Sequence, residues 1–126
     1  MFENFKEAMG LGEGVHRVSI FFVKERTTKS GGIQLGVGYS NNDGSIFSNH
    51  MLVGGSEQAV IVGLRQIRSI CNAAGEPEAF QTLLNCGGIE QLNPVIHSIS
   101  NALCGSEIEI EVVEKEGGLQ VVSWKP

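Results

Sequence analysis

The chain has 126 residues, 41% of them hydrophobic and 18% charged, enough to bury one core and too apolar for a disordered chain. Nine Lys and Arg against fourteen Asp and Glu give a formal charge of −5, which argues against a nucleic-acid-binding surface. No apolar run reaches the ~18–20 residues of a membrane span, and the start, MFENFKEAMG, lacks the basic and apolar regions of a signal peptide. These features predict a single, mildly acidic cytoplasmic domain without a membrane partner.

Residues 1–14 form an N-terminal segment ahead of one domain over 15–126. Phe2, Phe5 and Met9 recur at helical spacing before Gly10, Gly12 and Gly14 break the pattern. From Val15 the period becomes two. VHRVSIFFVKERT reads as a strand with His16, Val18, Ile20 and Phe22 on one face and Arg17, Ser19, Phe21 and Val23 on the other. IQLGVGY follows as a second strand, with Ile33, Leu35, Val37 and Tyr39 opposite Gln34, Gly36 and Gly38.

Asn41-Asn42-Asp43-Gly44 suits a tight hairpin, because Asn, Asp and Gly tolerate positive φ. SIFSNHMLV then completes a three-strand meander. Ser56 is a suitable N-cap for a helix from Glu57 to Ala74, ended by Gly75. Its stripe is Val60, Leu64, Ile67, Cys71 and Ala74, widened by Ile61 and Ile70. Pro77 opens a short second helix through Leu84. Asn93-Pro94 marks the cap and first residue of a third, which ends near Cys104-Gly105. A C-terminal hairpin closes the chain: Ile108, Ile110 and Val112 face the core, and Glu107, Glu109 and Glu111 face out. Blocks of strands and helices, rather than alternation, predict α+β. The expected fold is an antiparallel sheet of about five strands with two or three helices on one face.

Four constellations could carry chemistry. Cys86 stands in NCGG before helical sequence, where a helix dipole favours a thiolate, and His50 or His97 could act as its base. No cysteine-protease signature surrounds it, so a buried small residue is the favoured reading and no residue is assigned as catalytic. Cys71, Cys86, Cys104, His50 and His97 lack the close pairs that anchor zinc, and Cys71 and Cys104 fall on apolar helical faces where packing explains them; no metal or other cofactor is expected.

Gly54-Gly55-Ser56 and Gly87-Gly88 precede helical stretches whose free N–H groups suit an anionic small molecule, with Arg65 and Arg68 as more distant positive charges. Neither run matches a phosphate-loop pattern. Glu107, Glu109 and Glu111 form a one-sign ridge, to be balanced by solvent, by cross-strand cations such as Arg17, Lys24 or Lys125, or by a basic protein partner.

Gly36 and Gly38 share a strand face and invite close approach by another group. Apolar residues on both sides of the first strand leave a second face for self-association to cover. The leading expectation is therefore a non-enzymatic binding or regulatory module that acts by protein contact, as a homo-oligomer. The alternatives are a binder of a phosphate-bearing ligand and a Cys86-dependent enzyme.

Overall fold

The computed structural model describes residues 10–126, so the Phe2, Phe5 and Met9 stripe lies outside the described residues. The described residues form five strands: β1 (Gly14–Thr27), β2 (Ile33–Asn41), β3 (Gly44–Val53), β4 (Glu107–Lys115) and β5 (Gly118–Lys125). Between β3 and β4 lie α1 (Glu57–Ala73), α2 (Pro77–Leu84), a 3-10 turn (Ile89–Gln91) and α3 (Leu92–Leu103). The sheet is antiparallel throughout, in the order β3-β2-β1-β4-β5, with the three helices packed on it: an α+β fold.

The order follows from the length of β1. Its first part, from Gly14 to Ser19, pairs with β4, and its second, from Ser19 to Thr27, pairs with β2. The two hairpins are thus joined through one 14-residue strand.

Three register shifts bend this sheet. Ile20 pairs with Tyr39 and Phe22 with Gly38, so Phe21 is an extra residue. Leu52 is extra between Met51 and Val53, and Val122 between Val121 and Ser123. Each such bulge increases the local twist and bends its strand. The sheet curls until its edge strands, β3 and β5, approach within 8 Å between Cα atoms, and α1 packs against both.

The bulge at Phe21 corrects the expected faces of β1. Strict alternation placed Phe22 with Ile20 and put Val23 opposite them. The extra residue returns Val23 to the core, where it pairs with buried Val37, and turns Phe22 outward beside Phe21. Among the described residues the outer face is therefore apolar around these rings and at exposed Val15, and glutamates occupy its β4 part.

Ser56 caps α1 as expected, its hydroxyl accepting from Ala59 N–H at 3.1 Å. The buried line is Gly63, Ile67, Ile70, Cys71 and Ala73, rotated slightly from the Val60–Leu64 stripe. The cause is Gly63, which lets the helix lie on the β3 backbone: a Cβ there would overlap the Met51 carbonyl oxygen and come within 2.7 Å of Met51 N. Helix α3 begins one residue before Asn93, which is not its cap. The Asn93 amide instead donates to Glu25 Oε2 at 3.2 Å. Leu92, Ile96, Ile99 and Leu103 of α3 join Ile20, Leu35, Ile67 and Ile108 in one core.

Candidate functional site

The outer face of the sheet, away from the helices, has three zones along β1. At its centre Phe21 and Phe22 meet Phe47 of β3, with ring centroids 5.7 Å apart for each pairing with Phe47 and edge-on geometry. The rings lie over Gly38 because no side chain stands in the way. A Cβ at Gly38 would sit 2.9 Å from Phe22 Cβ and from Phe47 Cε1. Gly36 plays the same part for Arg26, whose side chain crosses it to reach Asn49 Oδ1 at 3.3 Å. The close approach foreseen for these glycines thus comes from neighbouring strands of the same chain. Phe47 nevertheless remains 48% exposed.

Beyond the rings in one direction come exposed Lys24 and Arg26. In the other direction comes the acidic ridge. Glu107 is level with Ser19 and Glu109 with Arg17, while Lys125 flanks Glu109 from β5. Two of the cations expected beside the ridge, Arg17 and Lys125, therefore lie there, and Arg17 also donates to the Glu107 carbonyl at 3.3 Å. Lys24 lies at the opposite end. Glu13 and Glu114 extend the acidic end, the Glu13 carboxylate accepting from Glu114 N–H.

The inner face holds a chain of polar side chains that sequence reasoning did not assemble. The Trp124 indole meets the Tyr39 hydroxyl at 2.8 Å, Tyr39 meets Ser48 Oγ at 2.8 Å, and Ser48 meets His50 Nε2 at 2.7 Å. His50 Nδ1 lies 2.8 Å from Gln66 Oε1. Direction follows from the end that can only donate. Trp124 N–H gives to Tyr39, so Tyr39 O–H gives to Ser48 and Ser48 O–H gives to His50 Nε2. Nε2 is then an acceptor, and the proton on Nδ1 goes to Gln66. Every member is satisfied with a neutral imidazole.

Tyr39 is fully buried and His50 is 2% exposed. Burial pushes the Tyr39 hydroxyl far above its ordinary value and holds the His50 imidazole below its own. Ser48, His50 and Gln66 have the pairing of a hydrolase triad, but Ser48 and His50 are shut inside the core, where a substrate cannot reach them.

The remaining candidates lie apart. The Cys86 thiol donates to the Gly88 carbonyl at 3.3 Å, and no hydrogen bond joins it to a histidine. Both His50 nitrogens are engaged elsewhere, and His97 lines a hollow with Lys24 and Glu25. Cys86 walls an apolar cleft of about 320 Å³ with Leu52, Leu64, Leu83 and Leu92, rimmed by exposed Leu84 and Ile89. Cys71 is buried, and burial, with Glu76 adding to it, pushes its thiol up to about 11. Cys104, expected on an apolar helix face, is exposed instead because it lies at the cap after α3. Among the described residues no three His, Cys, Asp or Glu side chains are grouped to hold a metal ion.

Gly54 and Gly55 adopt positive φ in the strand-to-helix turn. Arg65 lies across a hollow lined by Gln66 and Trp124, and Arg68 is exposed further along α1. At the other glycine pair, Gly87 N–H is taken by Gln91 Oε1 at 3.0 Å, and the Glu90 carboxylate covers Gly88. An acidic group at that turn opposes an anion. Among the described residues no helix is long and apolar enough to cross a membrane. Comparison of the chain with protein-family models and with curated proteins finds no match.

Proposed function

We propose that this protein is a binding module that acts by contact through the outer face of its sheet, and that the first occupant of that face is a second copy of the chain. The observation that carries this reading is the order of chemistry along β1. An exposed aromatic centre lies between an acidic end and a basic end at matched spacing. Glu107 and Glu109 are level with positions two and four residues before Phe21, and Lys24 and Arg26 lie two and four residues after Phe22. A twofold axis through the rings brings each acidic end over the partner's basic end, a self-complementary arrangement.

Arg17 and Lys125 partly neutralise the ridge, and the curled sheet confines contact to a strip along β1. Such a small interface gives a weak, salt-sensitive dimer, with Kd on the order of micromolar.

The test is light scattering of two charge-reversed proteins, one carrying Glu107→Lys and Glu109→Lys, the other Lys24→Glu and Arg26→Glu. Each alone is expected to be monomeric at concentrations where the unaltered chain dimerises, and an equimolar mixture is expected to recover the dimer. Dimerisation of each altered protein alone, or no recovery on mixing, overturns the twofold arrangement.

A further inference from the structure

The inner polar chain joins parts of the molecule that β pairing leaves separate. Tyr39 belongs to β2, Ser48 and His50 to β3, Gln66 to α1 and Trp124 to β5. It therefore ties the two edges of the curled sheet to each other and to the helix across them. The His50 and Trp124 rings also meet edge-on, with centroids 5.7 Å apart.

The chain works in one direction only. A proton added to His50 makes Nε2 a donor to Ser48, so the Ser48 hydrogen must turn toward Tyr39. The Tyr39 oxygen then faces two donors, and its own hydrogen loses its acceptor inside the core. A buried polar group without a partner is costly, and a buried unpaired charge more so.

Among the described residues nothing around His50 offsets that charge. On β2 it meets Leu35 across the ladder and Tyr39 through Ser48. On α1 it meets Gln66, next to which Arg65, itself cationic, lines the outer hollow. On β5 it meets Trp124, while Lys125 is paired with Glu109 in the ladder. Its depressed proton affinity comes from burial, which the Gln66 hydrogen bond opposes, and no carboxylate among the described residues contributes.

We propose that the Trp124–Tyr39–Ser48–His50–Gln66 chain is an acid-released latch, which holds β5 and α1 against the β2–β3 hairpin when His50 is neutral and frees β5 when it is protonated. Opening is local, because β5 is an edge strand held on one side by β4 alone, whereas β1 and β2 are paired on both sides. Edge elements of this kind open below the global unfolding free energy.

The sign follows from linkage. The closed form binds the His50 proton more weakly than the open form, so the latch is fully closed above the ordinary imidazole value of about 6.5 and weakens as pH falls below it. One linked proton predicts about a tenfold loss of β5 protection per pH unit in that window, down to the lowered value of the closed form.

Hydrogen exchange of the full chain, corrected for intrinsic rates, measures this directly. Peptides from β5 and from the Gln66 turn are expected to lose protection on acidification while those from the β1–β2 ladder keep theirs. His50→Gln is expected to remove the pH dependence, and His16→Gln and His97→Gln to leave it intact. If His50→Gln does not fold, the imidazole titration of His50 in the unaltered chain, read by nuclear magnetic resonance beside the fluorescence of Trp124, replaces it. Protection that is flat with pH, a pH dependence lost in His16→Gln or His97→Gln but kept in His50→Gln, or a His50 that titrates at its ordinary value while β5 stays protected overturns the latch.

Discussion

Tyr39, Ser48 and His50 are polar residues shut inside the sheet, and Phe21, Phe22 and Phe47 are apolar residues left partly outside it. Both sets depart from the usual sorting of side chains, but they differ in completion. Among the described residues no buried side-chain nitrogen or oxygen lacks a hydrogen-bond partner. The inner set is closed: each donor has found its acceptor within the molecule, and the network specifies how β2, β3, β5 and α1 meet. The outer set is open, since the rings stack on one another over Gly38 and still present Phe47 to water. A closed network accounts for architecture, and an open patch points to something outside the chain.

Two glycines, one on each side, give the sharpest contrast. Gly63→Ala drives a methyl group into the Met51 backbone. The atoms met are backbone, which cannot swing aside as a side chain can, so a loss of about 3 kcal/mol is expected in urea unfolding. Gly38→Ala meets Phe22 Cβ and the ring edges of Phe21 and Phe47. The Phe21 and Phe47 ring edges can swing toward solvent, but Phe22 Cβ is fixed to the β1 backbone and must move with it, so the expected loss is about 2 kcal/mol. Equal losses would show that the outer rings are held as firmly as the core.

Tyr39→Phe addresses the inner side alone. It keeps the ring and deletes the hydroxyl, leaving the Trp124 N–H without its acceptor and Ser48 without its donor. The expected cost is about 1–3 kcal/mol, with Trp124 fluorescence altered and self-association unchanged. A loss of dimerisation in this variant would mean that the two sides are coupled.

Much of the architecture was legible locally. The hairpin at Asn41–Gly44, the cap at Ser56, Pro77 at the start of α2 and the alternation of β4 each depend on residues within one turn or strand, and each is found in the structure, although in that hairpin Gly44 alone takes the positive φ expected of Asn and Asp as well. The bulge was hidden, because Phe21 and Phe22 are both apolar and either could face inward. Its consequence, the exchange of Phe22 and Val23 between faces, therefore became visible only in the pairing with Val37 and Gly38. The polar chain was hidden for another reason. Its five residues come from four elements, and only Tyr39, placed among Ile33, Leu35 and Val37, hinted that a hydroxyl would need a partner in the core. The strand order was likewise set by the length of β1 relative to its neighbours, a property of pairing rather than of any motif.

The contact reading is tested most directly by radical footprinting of the unaltered chain across a concentration series. Phe47 and its neighbours Phe21 and Phe22 are predicted to become protected as concentration rises, while Leu84 and Ile89, exposed at the cleft beside the helices, keep constant labelling. Labelling of the three rings that does not change with concentration would contradict the proposal that a second copy covers this face.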